Sequence, residues 1–424
     1  MATLCVLVAQ GPANDQQAGS SQSTSATTAY AGQSLPQSGS SPDRTQGASA
    51  ADDRLLYPPD QSLAQRSDTE PCENAIAAAS QEGNDHDPMG AGLNGDVYAL
   101  TDYKGHLVAG GDFTAAGEVA VRGIAAWNGR WWSPLGAGVN GVVLALAEQD
   151  GRLIVGGWFD SAGGRPARFL AAWDGLDWWP FGTELDDKVL ALAAFDSDLV
   201  AGGVFCSKAA EHPCGLVAFR HGGASAVGHR VNGPVAVLTT YRGQLIAGGC
   251  FDHIGDVPAN NVAAWDGNRW RPLADGLDGF VTALTVHGNR LIAGGQFTAA
   301  GRLNVGYIAA WDGAAWSSLG DSMNDYVCDL TSFNGKLVAG GLFTLAGQTP
   351  VGYIAEWDSC GWSPLGSGVG DWVRSLHTYQ ELLIAGGYFH KASDAVVNHV
   401  ASWNGSHWSG LGSVTEHRPV LNFK

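Results

Sequence analysis

The chain has 424 residues, of which 45% are hydrophobic and only 15% charged, a balance typical of a globular protein. Lysine and arginine total 23 against 41 acidic residues, which gives a net charge of -18. An acidic surface argues against nucleic acid and against anionic membranes as partners, and its simplest role is solubility. No apolar run approaches the roughly 20 residues of a membrane span.

The N-terminal part of the chain differs in composition from the rest. Its first ten residues hold a short apolar stretch with no basic residues before it, which leaves open a truncated signal peptide. Residues 11 to about 85 are rich in Ser, Gln, Ala, Gly and Asp and show no periodicity. Such a tract cannot bury enough apolar surface to order itself. We therefore predict a disordered low-complexity leader at 1–85, a folded domain at 86–415 and a short tail at 416–424.

Two motifs recur through the folded part at a constant spacing of 46 residues. The first is Gly-Gly-x-Phe, which ends at Phe113, Phe159, Phe205, Phe251, Phe297, Phe343 and Phe389. The second, most often Ala-Ala-Trp-Asp-Gly, is centred on Trp127, Trp173, Phe219, Trp265, Trp311, Trp357 and Trp403. A fixed period of this size indicates one supersecondary unit copied seven times.

Each unit contains the pattern of four strands. In the fifth unit, alternating and apolar segments are separated by a short turn, a loop of about ten residues and an Asp312-Gly313 hairpin signal. The predicted strands of this unit lie at 281–286, 291–297, 307–311 and 315–320. Buried tryptophans are expected at Trp265, Trp311 and Trp357, because they hold the same place in successive units.

Four antiparallel strands per unit of about 46 residues are typical of a propeller blade. We predict an all-β fold, a seven-bladed β-propeller of four-stranded antiparallel blades, preceded by a disordered N-terminal segment. The glycine pairs would let neighbouring sheets approach closely. A linear solenoid is the alternative, although it would need distinct capping repeats and the last unit is ordinary. The seven units lie at about 97–140, 143–186, 189–232, 235–278, 281–324, 327–370 and 373–412.

The ends of the repeat array point to the way the ring closes. Residues 88–95 copy residues 134–141, so they form the tail of an outer strand without a blade of its own. The last unit already carries its fourth strand near Trp408. This arrangement is compatible with a ring whose two ends meet at one blade.

The order of these motifs resembles kelch-type repeats, the kind that build the central domain of galactose oxidase. The variant with Gly-Gly-x-Phe, Ile-Ala-x-Trp-Asp-Gly-x-x-Trp and Leu-Gly-x-Gly-x-Asn is most similar to bacterial surface propellers and to repeats of fungal cortical bud-site marker proteins. The resemblance covers residues 88–412. It implies a propeller and, from kelch members, protein binding; from the fungal markers it implies a cell-surface role. Copper chemistry of the galactose-oxidase kind needs a Tyr, Cys and His set that we cannot assign.

The third unit departs from the others and holds a close cysteine pair. Phe219 and Ala224 replace its two tryptophans, and an Arg-His-Gly-Gly segment replaces the hairpin signal. Cys206 and Cys214 share one loop and would form a disulfide in an exported protein. This unit has either drifted and been compensated by the bridge, or been reshaped to form a site or an interface. Cys328 lies in an apolar strand and is expected to be a buried free thiol.

The loops between second and third strands share a face with the blade-to-blade crossings and vary most, which suits recognition on a rigid scaffold. Solvated loop tips are the alternative for any single residue. The candidate ligand-binding residues on this loop face are Arg122, Arg165, Arg168, His212, Asp256, Asn260, Arg302, Asn304, Tyr307, Tyr353, His390 and Asn398.

No sequence motif for catalysis, nucleotides or metals stands out. The twelve histidines form no ligand pair of known spacing, and the glycine pairs end strands rather than open helices. We therefore predict no catalytic residue, metal or cofactor. The expected role is a non-enzymatic, monomeric binding or scaffold propeller for a protein or extracellular glycan. It is expected to be secreted or in the cell envelope rather than cytoplasmic. An oxidase or a glycan lyase or hydrolase with an unassigned active site is the alternative.

Overall fold

A computed structural model describes residues 92–182, 185–206, 214–220 and 223–412. The predicted leader at 1–85, the tail at 416–424 and His212 lie outside these residues. The described part forms seven sheets of four antiparallel strands, each built from one repeat. The predicted seven-bladed β-propeller is therefore confirmed, and we number its blades 1 to 7 in chain order.

Strands follow the same order in every blade, from the innermost to the outermost. The innermost strands are Asp96–Tyr103, Val142–Gln149, Val189–Phe195, Val235–Tyr241, Phe280–His287, Val327–Phe333 and Val373–Tyr379. The second strands are His106–Asp112, Arg152–Trp158, Asp198–Cys206, Gln244–Gly249, Arg290–Gln296, Lys336–Gly341 and Leu382–Gly387. The third strands are Ile124–Trp127, Leu170–Trp173, Cys214–Arg220, Val262–Trp265, Ile308–Trp311, Ile354–Trp357 and Val400–Trp403. The outermost strands are Trp132–Pro134, Trp178–Pro180, Gly223–Ser225, Trp270–Pro272, Trp316–Ser318, Trp362–Pro364 and Trp408–Gly410.

The innermost strands pack side by side around one axis, and the strand of blade 7 packs against that of blade 1. This closed ring excludes the linear solenoid. Strand register defines its two faces, since Asp96 pairs with Asp112 at one end of blade 1 and Tyr103 with His106 at the other. The first end carries the crossings and the long loops, and we call it the loop face. The tight hairpins lie on the opposite face.

The long loops contain more structure than the sequence predicts. In six blades each loop folds into a small antiparallel ribbon of two-residue strands, such as Ala299–Ala300 paired with Leu303–Asn304. Blade 3 differs, because its second strand runs to Cys206 and its third begins at Cys214. The two cysteines face each other and form a disulfide with an S–S length of 2.04 Å.

The two glycines of each pair have different structural roles. A Cβ on the first, as on Gly294, would lie 2.6 Å from the Val327 side chain of the next blade. A Cβ on the second, as on Gly295, would lie 2.1 Å from the Phe280 carbonyl oxygen within the same blade. The first glycine therefore allows blades to pack closely, as the sequence indicates. The second makes room for a bulge in the innermost strand, which the sequence analysis did not anticipate.

Tryptophan pairs join each blade to the one before it. Where both are present, the ring centroids of a pair are 5.3–5.5 Å apart. The outer tryptophan donates its Nε1–H to a carbonyl at the end of the preceding blade, as Trp362 does to Leu319 at 3.1 Å. Trp311 and Trp357 are buried as predicted, whereas Trp265, which packs against blade 3, is only half-buried.

Both ends of the described chain contribute to the seam between blades 7 and 1. Trp132 of blade 1 donates its Nε1–H to the carbonyl oxygen of Leu411 at 3.0 Å, close to the C-terminal end of the described residues. Leu93 donates its backbone N–H to Asn398 of blade 7 at 3.0 Å. Residues 92–94 thus supply the crossing that follows blade 7, and the two ends meet at one seam.

Candidate functional site at the axial mouth

Every innermost strand carries a β-bulge at the same position, next to the loop face. In blade 1, Val97 pairs with Gly111 and Ala99 with Gly110, so Tyr98 is the extra residue. Bulges re-aim side chains and recur near functional sites. The seven bulge residues are Tyr98, Leu144, Leu190, Ala236, Thr282, Cys328 and Arg374.

By their register these residues lie at the loop-face end of the innermost strands that surround the central axis, a region that we call the axial mouth. Two more positions complete its wall in each blade. One lies two residues before the bulge, at Asp96, Val142, Lys188, Pro234, Phe280, Tyr326 and Trp372. The other is the variable residue of Gly-Gly-x-Phe, at Asp112, Trp158, Val204, Cys250, Gln296, Leu342 and Tyr388.

Blades 5, 6, 7 and 1 supply a polar and aromatic part of this wall, which we call the polar arc. The Trp372 ring stacks on Tyr388 with centroids 5.2 Å apart, and the Tyr388 and Tyr98 hydroxyls are 3.0 Å apart. The Arg374 guanidinium lies 5.5 Å from the Tyr98 ring centroid and 5.1 Å from that of Trp372. Trp372 also donates its Nε1–H to Cys328 Sγ at 3.0 Å, and this thiol is half-buried rather than fully buried as expected.

Burial keeps the phenols of the polar arc neutral. It raises the pKa of Tyr98 from 10.0 to about 12, and it raises the pKa of Tyr388 further. Both hydroxyls are protonated at neutral pH, as phenols ordinarily are, and the raised pKa extends this to more alkaline pH, so they can donate as well as accept hydrogen bonds.

Acceptors complement these donors along the same arc. Asp96 Oδ1 lies 3.2 Å from His399 Nδ1, which also lies 2.9 Å from the Gly387 carbonyl oxygen. The His399 ring packs edge-on against His390 with centroids 4.5 Å apart. In blades 5 and 6, Gln296 donates to the Tyr326 hydroxyl. The polar arc thus combines aromatic surface with closely spaced donors and acceptors.

A carboxyl group lies just below the bulge of blade 6. Asp329 accepts hydrogen bonds from the backbone N–H of Leu330 and of Leu376 in blade 7, at 2.8 and 2.7 Å. Loss of hydration raises the pKa of Asp329 from 3.8 to about 6, although these N–H groups and Arg374 oppose the shift. Asp329 therefore ties the two blades together beneath the polar arc.

Blades 2, 3 and 4 supply a mostly aliphatic part, the apolar arc. Its bulge residues are Leu144, Leu190 and Ala236, with Leu190 buried and the other two half-buried. Trp158 adds an exposed indole, 53% accessible, beside the ammonium group of Lys188 at 5.8 Å. Lys188 is the one charged residue among the nine wall positions of these three blades.

Three predicted loop residues lie in two adjoining clefts away from the axis, beside the crossing from blade 4 to blade 5. Asp256 and Asn260 line a cleft of about 530 Å³, while Asn260 and Arg302 line its neighbour of about 420 Å³. Asn260 donates its side-chain N–H to the Asp275 carbonyl oxygen at 2.8 Å. Both residues line both clefts. Both clefts are open and shallow.

The other predicted residues are spread around the rim. Tyr307 and Tyr353 have left-handed backbone angles of φ 69° and 60°, and Tyr307 packs on Tyr326 of the mouth wall at 5.7 Å. His390 and Asn398 lie at the seam between blades 7 and 1. The remaining residues are exposed on ribbons or before third strands and are not brought together: Arg122, Arg165, Arg168 and Asn304.

Sequence reasoning missed most of the mouth because it looked for recognition residues in the loops. Tyr98, Trp372, Arg374 and Tyr388 belong instead to strands and their edges. The available signal was the variability of fixed repeat positions. The residue after the constant valine of each inner strand, which in blade 2 is Val143, reads Tyr, Leu, Leu, Ala, Thr, Cys and Arg.

In the described ranges, no three His, Cys, Asp or Glu side chains come together as a metal-binding group. Nor does that part of the chain contain a helix long and apolar enough to cross a membrane.

A family model described as "Domain of unknown function (DUF5122) beta-propeller" matches residues 148–171. The match includes the second strand of blade 2 and the start of its third strand. It supports a β-propeller repeat over this small part of the chain. A search of curated proteins found no match.

Three solved structures are among those similar to this chain. The computationally designed Ika8 protein has 15% identity and a TM-score of 0.46 over 76% of this chain and 98% of its own. The WD40 β-propeller domain of Doa1 has 10% identity and a TM-score of 0.46 over 76% and 97%. The extracellular domain of the putative hybrid two-component system BT4673 from B. thetaiotaomicron has 13% identity and a TM-score of 0.49 over 70% and 37%. Likeness at this level carries no argument about function.

Proposed function

We propose that this protein is a non-enzymatic binding module that recognises an extracellular glycan at the axial mouth of its loop face. The observation that carries the proposal is the polar arc, in which Trp372, Tyr388, Tyr98 and Arg374 contact one another around a single opening. Aromatic surface with a few convergent polar groups is typical of small-molecule sites. Sugar rings offer the complement, since they present apolar C–H faces and hydroxyls that both donate and accept.

Charge favours a neutral ligand over an ionic one. Arg374 and Lys188 lie in the wall together with the carboxylates of Asp96 and Asp112, so neither sign of charge dominates. A hydroxyl-rich ligand can use donors and acceptors alike, whereas a strongly charged ligand would meet repulsion from one set.

The scaffold also suits recognition. Seven blades close into a ring by tryptophan hydrogen bonds and close glycine packing, which hold the mouth side chains on rigid strands. The kelch-like character of the repeats and an exported location are parts of the same proposal. Both accord with a module that binds ligands outside the cell.

The test is a glycan array probed with the full chain, followed by calorimetry on the ligands found. We expect Trp372→Ala and Tyr388→Ala each to weaken binding by about tenfold or more, because truncated aromatic anchors carry most of an interface's energy. Trp179→Ala is the matched control, since Trp179 is 45% exposed on the outer edge of blade 2. It should bind as the unaltered protein does.

Two outcomes would contradict the proposal. One is binding to no glycan, or binding that Trp179→Ala weakens as much as Trp372→Ala does. The other is chemical conversion of the bound glycan, detected by chromatography after incubation, which would identify an enzyme instead.

A further inference from the structure

The axial mouth is chemically divided, although the repeat that builds it is regular. The bulge positions of blades 5, 6, 7 and 1 hold Thr282, Cys328, Arg374 and Tyr98. Those of blades 2, 3 and 4 hold Leu144, Leu190 and Ala236. Because each bulge has the same register, these side chains occupy equivalent places around the axis.

The other two sets of wall positions follow this division only in part. Blades 2 to 4 add Val142, Pro234 and Val204, while blades 7 and 1 add Asp96 and Asp112. Lys188 lies on the apolar side, and Phe280 and Leu342 lie on the polar side, so the bulge position marks the division most clearly.

The constant packing position of the inner strand does not show this division. The inner-strand residue that packs against the first glycine of the preceding blade is valine in every blade and is fully buried, as at Val97, Val143 and Val189. The bulge residues alternate with these and differ from blade to blade. Leu144 and Ala236 remain half-buried at the mouth, so their apolar surface is available to a ligand.

From this we infer that the recognised sugar carries a methyl-bearing substituent, an N-acetyl group or a 6-deoxy carbon. The methyl group would contact the apolar arc at Leu144 and Ala236 while ring hydroxyls face the polar arc. This inference rests on the proposed function and narrows its ligand. An unsubstituted hexose would leave a hydroxyl or water against the aliphatic side chains.

The experiment measures dissociation constants of the full chain by calorimetry for two matched pairs of methyl glycosides. N-acetyl-D-glucosamine is compared with D-glucose, and D-fucose with D-galactose, so the two pairs distinguish an acetamido group from a deoxy carbon. We expect one substituted sugar to bind roughly 5–20-fold tighter than its partner, the usual worth of one buried methyl group.

Substitutions in the apolar arc test whether its side chains cause the preference for the substituted sugar. Leu144→Asn should reduce it to twofold or less, because the substituted sugar loses its apolar contact. Ala236→Asn provides a second, smaller change in case Leu144→Asn lowers the melting temperature. Leu345→Asn is the control, because Leu345 is 37% exposed on the ribbon of blade 6. It should keep the full preference.

The outcomes separate this inference from the proposed function. Equal affinities within both pairs, or a preference unchanged in folded Leu144→Asn and Ala236→Asn, would overturn the inference while glycan binding stands. If no sugar in the array or the pairs binds, both fail together.

Discussion

The second glycine of each Gly-Gly pair is the residue on which the shape of the axial mouth depends. In blade 5, Gly295→Ala would place a Cβ 2.1 Å from the Phe280 carbonyl, where backbone rather than a flexible side chain must yield. We expect it to lower the free energy of unfolding by at least about 2–3 kcal/mol, as overpacking does.

Thermal or denaturant unfolding measures this effect. Gly361→Ala is the control, because its added Cβ would meet no atom within 4 Å. Equal stability of the two variants would show that the bulge can relax, and that the glycine is not what maintains it.

Asp329 makes the stability of the folded protein depend on pH, and the direction of its pKa shift sets the direction of that dependence. Its pKa is raised to about 6 in the folded protein from 3.8, so the folded state takes up the proton first as pH falls. Stability from this group is therefore lowest above pH 6 and rises as pH falls towards 4. The gain is about 1–3 kcal/mol, since each pKa unit corresponds to about 1.4 kcal/mol.

The measurement compares melting temperatures of the unaltered protein and Asp329→Asn between pH 8 and 4. Asparagine stays neutral, so the unaltered protein should gain relative to the variant as pH falls. A constant difference across this range would mean that Asp329 titrates normally.

At the scale of the element, blade 3 shows how a degenerate repeat retains its place. Phe219 packs on Phe181 of the preceding blade at 5.5 Å, where other blades use a tryptophan pair, and the disulfide joins the second and third strands. Replacing both Cys206 and Cys214 with serine should cost roughly 2–3 kcal/mol, because the bridge closes a short loop.

Mass spectrometry of unreduced protein from its native host tests whether the bridge forms. Melting temperatures with and without reductant measure its contribution to stability. Free thiols at both positions in exported protein would contradict the bridge. Blade 3 of the reduced protein should also exchange amide hydrogens faster than blade 5, and equal protection would count against a weak blade.

The elements that the sequence predicts best are those that recur. The recurring Gly-Gly-x-Phe and tryptophan motifs predict all four strands of each blade, since identical residues at constant spacing imply identical packing. The ribbons within the loops were not predicted, because two-residue strands such as Leu303–Asn304 have no hydrophobic period. The bulges were missed for a similar reason: one extra residue such as Tyr98 leaves the 46-residue repeat unchanged.

At the scale of the whole molecule, ring closure brings together side chains that differ between repeats, and together these form the candidate site. No blade alone contains the polar arc, because Trp372 and Tyr388 come from blade 7, Tyr98 from blade 1 and Cys328 from blade 6. The sequence shows these residues far apart, and only closure of blade 7 on blade 1 brings Tyr98 to Tyr388. Loop residues such as Asn260 and Arg302 form separate clefts near the rim instead.

The location of a bound glycan tests the central claim most directly. A crystal structure of the full chain with the best ligand from the array should show the sugar at the axial mouth, in contact with Trp372 or Tyr388 and with Leu144. A sugar seated instead in the clefts of Asn260 and Arg302, with the mouth unoccupied, would contradict the account.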